Sequence, residues 1–231
     1  MNLSFDSFVL AASTADLDDE PAARGVADAV EFRMDLAADP LGALDAYDGA
    51  LPVLATNRAE WEGGDADGDE DDRLDALVSA AENDAVAAVD IELESLRTER
   101  GGDAAERARA AGATVVASAH DFEQTPARSE LVRLLHDAAT LGDVGKLAVT
   151  AETHADALRV LDVTRAATAW DDAVATMAMG EAGRHTRAVA PVYGSKVGYA
   201  PVEPADATAP GQYDAKTLRS LVSNLSHNPD V

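Results

Sequence analysis

The chain has 231 residues, of which 47% are hydrophobic, 43 are acidic and 18 are lysine or arginine, giving a formal net charge of −25. Such a surface repels a phosphate backbone, which excludes nucleic acid as the natural partner; the absence of cysteine excludes disulfides, thiolate catalysis and cysteine-held metal. No apolar run reaches bilayer-spanning length, and the opening residues Met1-Asn2-Leu3-Ser4-Phe5-Asp6 lack the basic and apolar regions of a signal peptide, so a cytoplasmic protein with no membrane partner is expected.

In chain order, a short apolar run at 8–12 is the first candidate strand. The second, at 29–36, alternates: Phe32, Met34 and Leu36 share one face, while Glu31, Arg33 and Asp35 share the other. A third strand is expected at 51–56. The acid-rich loop at 63–72 does not fit a calcium loop: counted from Asp65, the sixth residue is Glu70 rather than glycine and the twelfth is Ala76 rather than glutamate. A helix at 72–83 leads to a strand at 85–93, where Val89, Ile91 and Leu93 oppose Asp90 and Glu92. A helix at 103–111 precedes a strand at 113–120, in which Val116, Ser118 and His120 share a face. The rest alternates in the same way: helix 128–140, strand 144–150, helix 153–167, strand 173–179, helix 184–193, strand 195–199 and a final helix at 215–225.

This alternation implies βαβ units and a parallel sheet. Eight strands at this spacing fit a (β/α)8 TIM barrel, one catalytic domain over 1–231, with a doubly wound open sheet as the alternative. Parallel strands covered on both sides are normally apolar on both faces. Four of these strands instead carry polar groups on one face, mostly toward the C-terminal end, as a barrel lumen opening into a site would require. Ion pairs plugging the barrel, Glu31–Arg33 or Asp90–Arg58, would give the same pattern. The acids are spread over nearly every helix and lysine is scarce, which reads as adaptation of the whole surface to high salt rather than as an acidic patch for one basic partner.

Lys146 is one of three lysines, with Lys196 and Lys216, and lies within the apolar run Val144-Gly145-Lys146-Leu147-Ala148-Val149. Burying an ammonium is costly, so such a group is paired or loses its proton. A desolvated lysine is a nucleophile suited to Schiff-base formation; the plainer reading is a strand-end lysine reaching solvent.

Several segments in order carry a family resemblance: Glu31-Phe32-Arg33-Met34-Asp35; Asn57-Arg58 with Glu62-Gly63-Gly64; Asp90-Ile91-Glu92-Leu93; Ser118-Ala119-His120-Asp121-Phe122 with Thr125-Pro126; Lys146-Leu147-Ala148; Met177-Ala178-Met179-Gly180; Thr186-Arg187; Gly194-Ser195; and Ala209-Pro210-Gly211-Gln212. Together they resemble type I 3-dehydroquinate dehydratase, the Schiff-base enzyme that removes water from 3-dehydroquinate to give 3-dehydroshikimate in the shikimate pathway. The resemblance implies a small-molecule substrate, no cofactor, no metal and a homodimer. It implies that Lys146 condenses with the C3 ketone, that His120 moves the C2 proton and protonates the departing C1 hydroxyl, and that Glu62 orients His120. It implies that Arg187 and Gln212 hold the substrate carboxylate, and that Glu31, Arg33 and Arg58 meet the ring hydroxyls. Thr208 stands where the family typically has serine, so a hydroxyl is kept. Met177 and Met179 read equally as an apolar floor or as core, and Asp90 and Glu92 as supporting acids or structural ion-pair partners. The proline-rich segment 200–211 occupies a lid position.

Two other functions share parts of this pattern. A class I aldolase would keep the barrel and lysine, but the His-Asp-Phe and Pro-Gly-Gln segments argue against it. A catalytically dead binding barrel would leave Lys146 and His120 dispensable. Ser195 lacks a nucleophile elbow, no glycine-rich nucleotide loop is present, and His154 has no partner at helical zinc-binding spacing.

Overall fold

The computed structural model describes residues 1–66, 68–202 and 211–226. Its eight parallel strands are β1 (Val9–Thr14), β2 (Ala29–Arg33), β3 (Val53–Thr56), β4 (Val86–Glu92), β5 (Thr114–Asp121), β6 (Val144–Thr150), β7 (Val174–Met179) and β8 (Val197–Pro201). They alternate with α1 (Glu20–Ala23), α2 (Pro40–Ala46), α3 (Glu70–Ala81), α4 (Leu93–Leu96), α5 (Glu99–Ala111), α6 (Arg128–Leu141), α7 (His154–Thr168), α8 (Gly180–Gly183), α9 (Thr186–Val189) and α10 (Ala215–Ser226). All eight expected strands form.

Neighbouring strands run β7-β6-β5-β4-β3-β2-β1-β8, an order that returns to its start and excludes the doubly wound sheet. The last seam is irregular. There the Lys196 amide donates to the Val174 carbonyl at 2.6 Å, and the Thr176 amide donates to the Ser195 hydroxyl at 3.0 Å. The barrel is thus nearly closed, with a side chain standing in for ladder bonds between β7 and β8.

The two faces of each strand have separate tasks, because successive side chains point to opposite sides. Val30, Phe32, Val53, Val89, Ile91 and Val115 pack outward against Leu74, Leu77 and Val78 of α3 and Ala104, Ala105 and Ala108 of α5. Leu147, Val149 and Val174 do the same against Leu131 and Leu135 of α6 and Val160 and Val163 of α7. Each such leucine, removed from water, contributes about 1.5–3 kcal/mol. Inward, Ala11, Leu54, Ala88, Val116, Val144, Ala175 and Val197 fill the lumen. One step of two residues further along the strands, the inward positions turn polar: Ser13, Thr56, Asp90, Ser118 and Lys146, joined by Tyr199. Register sets these groups side by side, with Ser13 opposite Glu31, Glu92 opposite Ser118, and Ser118 opposite Lys146.

Several boundaries differ from expectation for local reasons. The strand expected to run to residue 36 stops at Arg33 and turns into a 3-10 helix, Met34–Leu36, so that Arg33 can fork onto Asp35. The strand expected to reach 93 ends at Glu92, and Leu93 starts α4. Helix α5 begins earlier than expected because the Thr98 hydroxyl caps it, accepting from Gly101 N–H at 3.0 Å. Gly101 is required there because a Cβ would lie 1.9 Å from the Ser95 carbonyl oxygen. The single helix expected at 184–193 is instead α9 followed by a 3-10 helix, Ala190–Tyr193, where Pro191 cannot extend the α-helical ladder. The short helix α2, not foreseen, starts at Pro40 behind an Asp39 cap that takes Gly42 N–H at 3.1 Å.

Candidate active site

The C-terminal end of the barrel holds an open pocket with about 560 Å³ of empty space. Lys146, His120, Arg187, Glu31, Arg33, Arg58, Glu62 and Gln212 all line it, so eight of the nine residues singled out from sequence meet at one cavity. The ninth, Thr208, lies outside the described residues, as do 203–210 of the expected lid segment and Asp67 of the acidic loop.

Lys146 is 5% exposed, which removes the reading of a lysine stretching to solvent. Its amine is paired rather than isolated. Nζ donates to Asp90 Oδ2 at 2.9 Å, stands 3.8 Å from Glu31 Oε1, and sits 4.3 Å from the centre of the Tyr199 ring. An ammonium at this depth needs such a counter-charge. Asp90 is itself held by Arg58, whose NH2 donates to Oδ1 at 2.7 Å, and by the Ser118 hydroxyl at 2.6 Å. Burial alone would raise the Asp90 pKa; the adjoining Arg58 and Lys146 charges outweigh it and hold the carboxyl well below the usual range.

The network continues away from the amine. Arg58 NH1 donates to Glu92 at 2.8 Å and to Ser118 Oγ at 2.7 Å, and Arg73 NH1 pairs with the other Glu92 oxygen at 2.7 Å. Of the two ion pairs expected to plug the barrel, Asp90–Arg58 forms. Glu31–Arg33 does not: Arg33 forks onto Asp35 at 2.8 and 2.5 Å, while Glu31 accepts from Ser13 at 2.5 Å and from Thr56 at 3.3 Å. Asp90 and Glu92 bond to both Arg58 and Lys146 or Arg73, so they are integral to the site's charge balance, a role that strand spacing left open.

His120 stands at the end of β5 beneath a nearly parallel Phe122 ring, centroids 5.8 Å apart and 9° between planes. Its Nδ1 meets Glu62 Oε2 at 2.7 Å. Glu62 arrives from the 3-10 helix Glu60–Glu62, which Gly63 ends in a left-handed conformation (φ 75°). Burial, then the Arg58 and Lys146 charges, push the His120 pKa well below its ordinary value, so the ring is neutral. Burial pushes Glu62 up to about 8 against the pull of Arg58, helped by the nearby Glu92 and Asp90 charges. The pair therefore holds its proton between carboxyl and imidazole. When Glu62 is ionised, Nδ1–H donates to it and Nε2 is left with a lone pair, the state of a base.

Arg187 is different in kind. It is 4% exposed, and among the described residues its guanidinium has one polar contact, NH1 to Met177 Sδ at 3.6 Å, while Nε and NH2 have no hydrogen-bond partner. Burial lowers its pKa to about 10, so it remains a cation. A buried guanidinium with donors to spare is arranged to take a bidentate anion. Met177 and Met179, 5% and 2% exposed, are at once core and pocket floor. Sequence reasoning missed Tyr199 altogether, although its two-residue offset from the buried Val197 was a usable signal that it faces inward.

The comparisons with known proteins agree with one another. The family model described as Type I 3-dehydroquinase matches residues 8–229. A "3-dehydroquinate dehydratase" of Haloquadratum walsbyi is 59% identical over 233 residues, covering 97% of this chain and 95% of the relative. Another, of Haloarcula marismortui, is 58% identical over 226 residues, covering 96% and 98%. Among solved structures, the 3-dehydroquinate dehydratase from Geobacillus kaustophilus HTA426 superposes with a TM-score of 0.86 at 25% identity, over 97% of this chain and 93% of that one.

Proposed function

The chain belongs to the type I 3-dehydroquinase family, and from that premise we infer that it dehydrates 3-dehydroquinate to 3-dehydroshikimate, a step of the shikimate pathway, through a lysine Schiff base. The observation that carries the reading is the convergence on one cavity of Lys146, His120 and Arg187, the last with no counter-ion among the described residues.

In this reading Lys146 is the amine that condenses with the C3 ketone. The iminium formed is an electron sink, so it acidifies the neighbouring C2 proton. His120 removes that proton through Nε2 and returns it to the C1 hydroxyl as that group leaves as water; such a positioned acid–base typically contributes 10²–10⁴-fold. Glu62, bonded to Nδ1, fixes the tautomer that makes one ring serve both steps. Arg187 receives the substrate carboxylate with Gln212 and Thr208, and the lack of a counter-ion for Arg187 among the described residues supports this assignment. Glu31 and Arg33 take ring hydroxyls. Arg58 lines the same wall, with donors already engaged by Asp90, Glu92 and Ser118.

The finer setting is also a proposal. The chain acts as one catalytic unit in the cytoplasm, as a homodimer, with an acidic surface suited to high salt; the haloarchaeal relatives agree with the last point. The mechanism is tested by reducing the enzyme with borohydride in the presence of 3-dehydroquinate and locating the added mass. An adduct on Lys146 is expected; a peptide map with no modified Lys146 would reject the Schiff base.

A further inference from the structure

Tyr199 is 4% exposed, lines the pocket, and presents its ring to the Lys146 amine at 4.3 Å. Its hydroxyl has no hydrogen-bond partner among the described residues. The nearby carboxylates are already engaged: Glu31 by Ser13, Thr56 and Lys146, Asp90 by Arg58, Ser118 and Lys146. Buried hydroxyls are almost always bonded, to protein or to water, and this one belongs to a residue that lines the pocket beside the Lys146 amine, where a ligand oxygen can serve as its partner. It is also a constant donor, because burial and then the Asp90 and Glu31 charges push its pKa well above the ordinary value.

We propose that the Tyr199 hydroxyl is a substrate-binding donor that holds the ketone oxygen while the Lys146 amine adds to the carbon bearing it. The assignment rests on the Schiff-base reading above. In the addition, the nitrogen lone pair forms the C–N bond and the carbonyl π pair moves onto oxygen, where the phenol's hydrogen bond stabilises the growing charge. Starting from the ammonium, two of its three protons end on that oxygen, the C–O bond breaks, water leaves, and the iminium keeps the third proton and the positive charge. The phenol keeps its own proton throughout. It is the hydrogen bond, not proton transfer, that this residue supplies.

The test is Tyr199→Phe, which keeps the ring and removes only the oxygen. Rapid-quench borohydride trapping should show adduct formation on Lys146 slowed by about 10²- to 10³-fold, with kcat reduced in parallel. Inhibition by quinate, which carries the carboxylate and ring hydroxyls but no ketone, should be unchanged. The empty variant should melt at the same temperature or higher, because an unpaired buried hydroxyl is lost. A wild-type trapping rate in the variant overturns the assignment, as does a lowered melting temperature combined with equally weakened quinate binding, which would mark a structural hydroxyl. If the unaltered chain traps no adduct, the lysine chemistry itself falls and this role falls with it.

Discussion

On the wall formed by β2, β3, β4 and β6, the charged side chains are matched: Lys146 with Asp90, Arg58 with Asp90 and Glu92, Arg33 with Asp35, and Glu31 with two hydroxyls and the lysine. At the β7–β8 end, Arg187 is just as buried and its Nε and NH2 have no match among the described residues. The difference follows from what each side meets. In the proposed mechanism the amine wall holds the nucleophile in place before substrate arrives, with its charges balanced within the protein. In the same mechanism the Arg187 side receives an anion, and its counter-charge arrives with the ligand. The family's substrate is a carboxylate approaching a chain of net charge −25, and an arginine already neutralised by a neighbour would have little left with which to hold it.

The strongest way to break this comparison is at the amine. Lys146→Ala should abolish turnover, lowering kcat by at least about 10⁴-fold, because no other group supplies the electron sink. Equilibrium binding of the ring carboxylate should be partly retained, since Arg187 and Gln212 are untouched; ultraviolet detection of the conjugated product at high salt, together with calorimetry, separates the two. Asp90→Asn attacks the same wall through stability. It leaves Arg58 and Lys146 short of a buried counter-charge, and breaking such a pair costs about 3–5 kcal/mol, read as an earlier denaturation midpoint. Arg187→Met should do the reverse. Removing a buried cation that has no counter-charge among the described residues should leave the empty protein as stable or more so, while KM rises by about 100-fold or more as a bidentate carboxylate contact is lost. If Arg187→Met destabilises the chain as much as Asp90→Asn, the two sides are not distinct in the way described.

The smallest effect concerns Glu62. Its pKa is raised from the ordinary 4.5 to about 8 in the folded chain. A raised carboxyl binds a proton more tightly folded than unfolded, so its stabilising contribution is complete below about pH 4.5 and is lost as pH rises toward about 8. Glu62→Gln should therefore flatten the fall in stability over that interval. In the unaltered enzyme kcat/KM should rise as the Glu62–His120 pair loses its shared proton, and the glutamine variant should lose that limb. A pH profile identical in both proteins would separate Glu62 from the base.

Much of this was legible in one dimension. Alternation at 29–36 and 85–93 placed Glu31, Arg33, Asp90 and Glu92 on one face of their strands, and an apolar run around Lys146 announced a buried amine. Backbone period and burial preference act locally, so they survive in the sequence. The partners did not. Nothing in the spacing says that Arg33 turns to Asp35 instead of Glu31, because that depends on β2 ending one turn early. Nothing joins Asp90 to Lys146, 56 positions later, or Tyr199 to that same amine, since both contacts arise from strand register and from the curvature that brings β8 beside β1. The amino-acid sequence determined the strands, their two faces and the presence of a lysine inside an apolar run. Closure of the barrel decided which charges cancel and which, Arg187 above all, find no counter-charge among the described residues, because a balance of charge is a property of distances in space and not of order along a chain.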